Sequence, residues 1–354
     1  MTDLALQLLI QTLHASDSAA TSNLWVLDEN LTAADISGVT KRSPVPLTLM
    51  CNRFDLQQQL AQNKVECTFS DFDFSKFENN SVDQLFYRVS KEKAVVHHVI
   101  NQAYRILKPE GKLIIAGYKN EGVKTYIDKA NKYLNGGSEK TKGGQSSHLA
   151  ILSKGTADSS ARLDDKDYTS LRELSQTGQS FVSKPGQFGW NKTDKGSEFL
   201  IQHLPELLNS LHKQPETLLD LGCGYGYLSL MAASLTPLNK ITATDNNAAA
   251  LVSCEQNLKS TDVEYQVIAD NCAQSIRGRF DLILCNPPFH QGFAVENDLT
   301  QLFLEQTHKH LHAKGNALFV VNQFIPLERK ANDLFEKVRV LAKNSSFTLI
   351  HCKR

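Results

Sequence analysis

The residues best suited to chemistry are four consecutive positions after a buried apolar run, Asn286-Pro287-Pro288-Phe289. Proline has no N–H and keeps the preceding residue out of the helical region, so this pair fixes an extended backbone with outward-facing carbonyls. The Asn286 side-chain oxygen and the Pro287 carbonyl then offer two acceptors to an exocyclic amino group, and Phe289 offers a ring to a planar base. Two such acceptors aim the amine lone pair at an electrophile, as N-methylation requires. A proline-rich turn that ends a strand is the alternative.

A glycine-rich segment precedes this motif in the chain, with the pattern Asp220-x-Gly222-x-Gly224-x-Gly226. It follows a short apolar run and opens a helical pattern, where glycines let the backbone turn tightly and approach a ligand closely. The G-x-G-x-G spacing differs from the G-x-G-x-x-G of dinucleotide binders, and the phosphate-loop pattern is absent from the sequence. A glycine-rich turn that needs no ligand is the alternative.

Acidic and amide side chains follow the next two apolar runs, as Asp245-Asn246 and as Asp270-Asn271. An acidic side chain at the carboxyl end of such a strand can accept both hydroxyls of a ribose. Asp245 could instead cap the helix that follows it. Asp270 could contact an adenine or serve as a turn residue, and the sequence leaves both open.

Short apolar runs alternate with amphipathic ones around these motifs, and this β-α-β-α order predicts parallel strands with helices on both faces. The pattern predicts strands over 217–221, 240–244, 263–269, 280–285 and 316–321, and helices over 227–235, 248–258 and about 299–311.

The first half of the chain repeats this series. Residues 107–115 parallel 311–319, and 65–71 parallel 263–270, so we predict one α/β fold used twice, over 1–165 and 166–354. Convergent α/β spacing is the alternative. The first copy has no glycine loop and carries Arg88-Val-Ser-Lys91 where the second has the Asn-Pro-Pro-Phe motif. It should therefore retain a core without the chemistry.

Two polar stretches interrupt the apolar pattern near mid-chain. The segment 135–147 is rich in Gly, Ser and Lys, which predicts a surface loop, and 155–167 is predicted to be a linker.

The composition narrows the functional classes. Lys plus Arg and Asp plus Glu both number 38, so the chain is not uniformly basic, and 41% hydrophobic with 21% charged residues is typical of a globular protein. Its apolar runs are shorter than a membrane helix needs, and the N-terminal segment lacks the basic start of a signal peptide. The seven cysteines are scattered without a C-x-x-C pair. We expect a cytoplasmic protein with no membrane segment and no metal site.

The four motifs, in this order on successive strand ends, resemble class I S-adenosylmethionine-dependent methyltransferases that modify amino groups. His290 after the Asn-Pro-Pro-Phe motif, and the run 188–197 about 30 residues before the glycine loop, resemble bacterial ribosomal RNA guanine-N2 methyltransferases of the RsmC type. Those enzymes also carry a degenerate N-terminal copy. The resemblance thus implies an α/β fold class with two tandem Rossmann-like domains.

The resemblance also implies roles for individual residues. The residues expected to be catalytic are Asn286, Pro287 and Phe289. Those expected to bind S-adenosylmethionine are Asp220, Gly222, Gly224, Gly226, Asp245, Asn246, Asp270, Asn271, and, at the cofactor's entrance, Asp194 and Ser197.

The expected function is methylation of guanine N2 in ribosomal RNA, most directly the 16S RNA of the small subunit. Alternatives are a large-subunit 23S RNA enzyme, an N6-adenine or protein-glutamine methyltransferase, and a non-catalytic RNA-binding or assembly factor. Intact motifs in the second copy argue against the last of these.

Charge along the chain suggests where RNA would bind. Counting Lys and Arg against Asp and Glu, residues 1–80 sum to −5 and residues 81–150 to +6. Basic residues in a copy without catalysis suggest a platform for RNA phosphates, with Arg88, Lys91 and Lys93 as candidates. Solvated helix faces are the alternative. We expect a monomer that binds ribosomal RNA or the small subunit, with the target base splayed out of the RNA.

Overall fold

The protein is described by a computed structural model covering residues 3–16, 19–29, 31–156, 161–176, 179–288 and 293–354. The chain divides into two compact units, Met1–Ser170 and Leu171–Arg354, and each is built around a seven-stranded sheet.

The first unit contains five α-helices and seven strands among its described residues. In chain order they are α1 (Leu4–His14), β1 (Asn23–Leu27), α2 (Ala33–Thr40), β2 (Thr48–Cys51), α3 (Phe54–Gln62), β3 (Thr68–Phe69), β4 (Val82–Arg88), α4 (Lys93–Ile106), β5 (Leu107–Tyr118), α5 (Val123–Leu134), β6 (Asn135–Lys142) and β7 (Ser147–Lys154).

The second unit begins with a two-stranded sheet and continues with the larger one. Its described elements are β8 (Arg172–Gln176), β9 (Gln179–Ser183), α6 (Lys195–Asn209), β10 (Thr217–Leu221), α7 (Tyr227–Leu235), β11 (Lys240–Asp245), α8 (Ala248–Leu258), β12 (Glu264–Ala269), β13 (Phe280–Cys285), α9 (Phe293–His310), β14 (Leu311–Asn322), α10 (Leu327–Ala331), β15 (Lys337–Lys343) and β16 (Phe347–Lys353).

The two large sheets have the same topology. The strand orders are β3-β2-β1-β4-β5-β7-β6 and β12-β11-β10-β13-β14-β16-β15, with five parallel strands followed by two antiparallel ones. The prediction of one Rossmann-like α/β fold used twice is confirmed. The strands predicted from the β-α-β-α order in the second unit are parallel, as expected. The two strands that complete each sheet through antiparallel pairing were not predicted.

The core of the second unit shows why its central strands are nearly continuous apolar runs. Leu218 belongs to the apolar cluster on one face of the sheet, while Leu219 and Leu221 belong to the cluster on the other. Helices cover both faces of a parallel sheet, so side chains are buried on both sides. The same alternation places Asp220 on the Leu218 face, where it is fully buried.

The predicted surface loop over 135–147 is wrong. Residues Asn135–Lys142 form β6, and Ser147 begins β7. Every side chain of β6 is exposed because the strand lies at the sheet edge, so it lacks the apolar alternation that would have predicted it. The lysines in this strand are typical of edges that avoid further pairing.

Two global features bear on function. Within the described residues, no helix is long and apolar enough to cross a membrane. All seven cysteines are buried.

Candidate active site

Strand order brings the four sequence motifs to one edge of the second sheet. The strands β12, β11, β10 and β13 are adjacent and parallel, so their carboxyl ends lie side by side. Ligands bind at this edge in open α/β sheets.

The glycine loop between β10 and α7 adopts a backbone that only glycine takes without strain. Gly222, Gly224 and Gly226 have φ of 80°, 54° and 84°, in the left-handed region. The N–H groups of Gly222 and Cys223 both donate to the Thr244 carbonyl, at 2.9 and 3.0 Å, which ties the loop to β11.

The three glycines do different work. A Cβ built on Gly224 would meet no atom within 4 Å, and one on Gly222 would first meet the Phe303 ring at 3.7 Å. Gly224 therefore faces open space, and Gly222 faces the Phe303 ring at an ordinary contact distance. A Cβ on Gly226 would lie 2.9 Å from Cys254 Sγ, so this glycine lets the loop pack against α8.

Asp245 holds the loop from the end of β11. Its Oδ2 accepts from the Gly224 N–H at 2.9 Å and its Oδ1 from the Asn247 N–H at 2.8 Å. Burial raises the pKa of this carboxyl, and the backbone hydrogen bonds oppose that rise. Asn246 lies half-buried beside it at the same edge.

Asp220 braces the loop from beneath. Its Oδ2 accepts from the Ser229 N–H at 3.0 Å and from the Ser229 hydroxyl at 2.7 Å, in the first turn of α7. Its Oδ1 is buried and has no hydrogen-bond partner among the described residues. Burial outweighs the Ser229 hydrogen bonds and raises the pKa of Asp220 to about 7.

Asp270 turns its carboxyl inward at the end of β12. Its Oδ2 accepts from the Ser275 N–H at 2.9 Å, and its own N–H donates to the Asp245 carbonyl at 3.0 Å. The side chain is 1% exposed. Asn271, the next residue, is half-buried and more accessible to a ligand at this edge.

Asn286 is held in one orientation at the end of β13. Its Nδ2 donates to Asp194 Oδ2 at 2.7 Å and to Ser197 Oγ at 2.9 Å. An ionised carboxylate only accepts hydrogen bonds, so the atom facing Asp194 must be the amide nitrogen. Oδ1 is thus the atom left to receive a substrate donor. The adjoining Pro287 is buried, while Phe289 and His290 lie outside the described residues.

Asp194 and Ser197 were predicted at the cofactor's entrance, and the structure shows that both contact Asn286. Asp194 is the N-cap of α6, and its Oδ2 also accepts from the Ser197 N–H at 2.9 Å. The intervening Gly196 has no room for a side chain, since a built Cβ would lie 2.9 Å from Asp194 Oδ2 and 3.4 Å from Asn286 Nδ2. The Asp-x-x-Ser capping pattern was a visible signal, although the contact with Asn286 was not.

Comparisons with known proteins agree with this geometry. Residues 178–351 match the family model of the methyltransferase small domain. Curated relatives from Shewanella oneidensis and Shewanella loihica, both ribosomal RNA small subunit methyltransferase C, are 28% identical; the first alignment covers 82% of each chain and the second 75%. A solved structure, the T. thermophilus 16S rRNA guanine-N2 methyltransferase with AdoMet and guanosine, superposes with a TM-score of 0.82 at 22% identity, over 99% of this chain and 92% of that one.

Residues 178–351, nearly all of the second unit, belong to the methyltransferase small domain family. The open space at Gly224 fits a cofactor that would lie against the glycine loop, as S-adenosylmethionine would in such a methyltransferase. The buried Oδ1 atoms of Asp220 and Asp270, which have no partner among the described residues, lie along the same edge. Asp245, Asn246 and Asn271 lie at this edge as well, and their predicted contacts with the cofactor stay a prediction.

The first unit of this methyltransferase has replaced its site residues. Tyr87 pairs with the residue four positions after Gly111 in β5, and Cys285 pairs with the residue four positions after Gly315 in β14. Tyr87 and Cys285 are therefore equivalent in the two units, and so are Arg88 and Asn286. Pairing with β4 and β13 aligns Val26 with Leu221, so buried Trp25 and Leu27 stand where the second unit has Asp220 and Gly222.

Arg88 must be withdrawn from the predicted RNA contacts. Its side chain is 2% exposed; Nε donates to Asp3 Oδ2 at 3.0 Å, and the two terminal nitrogens donate to the Glu121 carboxylate at 2.7 and 2.9 Å. A buried arginine paired with two carboxylates cannot reach a phosphate without breaking both pairs. Lys91 and Lys93 are exposed at the same end of β4.

Across the described residues, no group of three or more His, Cys, Asp and Glu side chains is arranged to hold a metal ion.

Proposed function

We propose that this methyltransferase transfers a methyl group from S-adenosylmethionine to the exocyclic N2 amino group of guanine in small-subunit ribosomal RNA. The observation that carries the proposal is the fixed Asn286 amide, which directs an acceptor oxygen into the edge that also holds the glycine loop. A pair of acceptors suits an amino group, which has two N–H bonds to donate, whereas a hydroxyl has only one O–H bond to donate.

The relatives support the nucleic-acid target. Curated proteins that align over three quarters or more of this chain are named ribosomal RNA small subunit methyltransferase C. The solved T. thermophilus enzyme has the same duplicated fold and was determined with AdoMet and guanosine. Together these favour guanine over adenine and small-subunit over large-subunit RNA.

The chain's own contribution to the reaction is positioning. Asn286 Oδ1 and the Pro287 carbonyl would accept the two N–H bonds of the target amine and hold its lone pair toward the cofactor. S-adenosylmethionine, when bound, supplies an electrophilic methyl group. Asp194 and Ser197 fix the Asn286 amide before substrate arrives, so no reorganisation is needed as the amine becomes positively charged.

RNA binding would be shared with the first unit. Its residues 81–150 carry a net charge of +6, and Lys91 and Lys93 are exposed at the carboxyl edge of its sheet. Phosphate contacts of this kind supply affinity without base specificity, which the Asn286 pocket would add.

The test is transfer of labelled methyl groups from S-adenosylmethionine to four acceptors in parallel: unmodified 16S RNA, assembled small subunits, double-stranded DNA and a glutamine-containing protein. Nucleoside analysis of the product should show N2-methylguanosine from one of the RNA substrates. Label in N6-methyladenosine, in protein, or in large-subunit RNA alone would overturn the proposal.

A further inference from the structure

Two aromatic side chains project from the second unit into solvent. Phe324 is 85% exposed and Phe188 is 66% exposed. The other exposed large hydrophobic residues of the described chain, Leu235, Val252 and Val340, are all aliphatic and between 39% and 46% exposed. An aromatic side chain with this much exposed surface is typical of a binding surface on which another planar group stacks.

The Phe324 backbone is rigidly held. Residues Asn322–Ile325 form a turn closed by the Ile325 N–H donating to the Asn322 carbonyl at 2.9 Å. The Gln323 N–H donates to the Ser346 carbonyl at 3.0 Å, which joins the turn to the loop between β15 and β16. The ring is therefore presented by a braced turn, which limits the entropy lost when a partner covers it.

This turn lies beside the Asn286 pocket. Asn322 ends β14 and pairs with Phe347 of β16. The Phe347 ring is 3.2 Å from a Cβ built on Gly196, and that same Cβ would be 3.4 Å from Asn286 Nδ2. Phe324 follows Asn322 by two residues, so the turn that carries it lies at the same carboxyl edge of the sheet as Asn286.

Phe188 reaches the same edge from a different segment. Its loop is anchored at Gly186, whose carbonyl accepts from Asn247 Nδ2 at 2.9 Å, and at Asp194, which accepts from Asn286. The Phe324 turn and the Phe188 loop thus both belong to the carboxyl edge of the second sheet, where the target base would enter.

Basic residues lie on the elements next to the turn. Arg329 and Lys330 are on α10, which also carries Glu328, and Lys343 ends β15 at the same edge of the sheet. Aromatic rings among basic residues are the usual platform for unpaired nucleotides, because bases stack on the rings while cations meet the phosphates.

We propose that Phe324 stacks on an RNA base adjacent to the flipped guanine. The inference rests on the proposed function and adds a contact to the flanking nucleotides. Such stacking would make the enzyme selective for RNA that is unpaired around the target guanine, because a base stacked in a duplex has no free face for Phe324 to contact.

The test compares Phe324→Ala with the wild type in steady-state methylation of unmodified 16S RNA and of small subunits. Loss of one stacking contact should raise the KM for RNA by about 5-fold or more, with kcat at saturating RNA and the Kd for S-adenosylmethionine unchanged. Phe324→Trp should retain a KM close to that of the wild type, because tryptophan preserves the stacking face.

Leu235→Ala is the matched control, because this exposed side chain ends α7 and so lies at the opposite edge of the sheet. An unchanged RNA KM in Phe324→Ala, or an equal rise in Leu235→Ala, would overturn the inference. A wild-type protein that methylates no RNA would instead overturn the proposed function, so the two failures are distinguishable.

Discussion

Asn286 can accept a hydrogen bond from an amine only while its amide is held with the oxygen outward. Two acceptors, Asp194 Oδ2 and Ser197 Oγ, hold the nitrogen inward. The same Asp194 oxygen caps α6 through the Ser197 N–H. One oxygen atom therefore bonds both to the first turn of α6 and to the Asn286 amide. Sequence reasoning found all three residues and assigned two of them to the cofactor.

Asp194→Ser separates the two tasks of Asp194. Serine is as good an N-cap as aspartate, so α6 should keep its stability, but the shorter hydroxyl cannot also meet Asn286. Loss of a charge-assisted hydrogen bond of ~1.5–3 kcal/mol should lower kcat for methyl transfer about 10-fold or more. Steady-state kinetics and calorimetric titration with S-adenosylmethionine measure the two effects.

Asp194→Asn serves as the conservative control. Asparagine also caps helices, and its single oxygen can receive both the Ser197 N–H and the Asn286 amide, so activity should recover in part. If Asp194→Ser lowers cofactor affinity and leaves kcat at saturation untouched, Asp194 is a cofactor residue as the sequence first suggested.

Asp220 makes stability depend on pH. Because burial raises its pKa to about 7, the folded chain holds a proton that the unfolded chain loses near the ordinary value of 3.8. The contribution of this protonated carboxyl to the free energy of unfolding is fully present below about pH 4. It declines by ~1.4 kcal/mol per pH unit as the pH rises towards 7. Asp220→Asn mimics the protonated acid, so its free energy of unfolding, measured by chemical denaturation, should lack this decline.

Asp83→Asn provides the comparison in the first unit. Burial raises the pKa of Asp83, but hydrogen bonds from Lys108, Ser22 and Thr21 outweigh it and leave the pKa lowered. Between pH 5 and 7 its carboxyl is ionised in both folded and unfolded chains, so the difference from wild type should be flat. A flat Asp220→Asn difference would show that Asp220 is ionised in the folded protein.

At the scale of elements, the start of α6 has to lie unusually close to the end of β13. Gly196 permits this, since a Cβ would press on the Asp194 carboxylate at 2.9 Å and on the Phe347 ring at 3.2 Å. The backbone of Phe347 cannot yield easily, because β16 pairs with both β14 and β15.

Gly196→Ala should therefore displace Asp194 from Asn286. We expect methyl transfer to fall about 10-fold or more, as for loss of the hydrogen bond itself, with no gain in stability from the alanine. Gly38→Ala in α2 is the control. Its Cβ would meet only the flexible end of Arg42 at 3.4 Å, so helix propensity should stabilise that variant by ~0.5–1 kcal/mol. Equal stabilisation of both variants would mean that the space at Gly196 is not limiting.

Sequence patterns located the elements whose ends carry the motifs. The helices Tyr227–Leu235 and Ala248–Leu258 and the strand Phe280–Cys285 lie where they were expected. Glycine stops and apolar runs are local signals, and they suffice for elements buried against one core. β6 was not predicted because an edge strand needs no apolar side chains. Its pairing with β7 depends on the tertiary fold and leaves no local signal in the sequence.

The candidate site likewise has residues with a local sequence signal and contacts that only tertiary structure shows. Gly222, Gly224 and Asn286 were predicted from residue type and spacing. The orientation of Asn286 was not, because it depends on Asp194, 92 residues earlier in the chain. Arg88 was misjudged because sequence gives its charge and cannot show that Asp3 and Glu121 fold onto it.

At the scale of the whole molecule, the two units share one sheet topology and differ in the residues at the carboxyl ends of their strands. The first unit keeps the sheet and fills the positions of the second unit's site with Trp25, Leu27 and Arg88. It is therefore expected to bind no S-adenosylmethionine, and its surface is left to meet RNA.

Charge reversal tests that surface. Lys91→Glu with Lys93→Glu should weaken binding to 16S RNA and flatten its salt dependence, measured by filter binding at two salt concentrations, with cofactor affinity unchanged. Lys41→Glu with Lys64→Glu changes the same charge at the ends of α2 and α3, on the opposite edge of the first sheet. If both pairs weaken RNA equally, net charge and not the Lys91 surface accounts for binding.

In the function proposed above, Asn286 positions the guanine amine and does not contribute to binding of S-adenosylmethionine. The most direct measurement is single-turnover formation of N2-methylguanosine in 16S RNA by the wild type and by Asn286→Ala, with the Kd for S-adenosylmethionine measured on both proteins. The account predicts an unchanged Kd and a transfer rate lower by about 100-fold or more, as for loss of one preorganised hydrogen bond at a reacting centre. An unchanged transfer rate, or a loss explained by weaker cofactor binding, would contradict it.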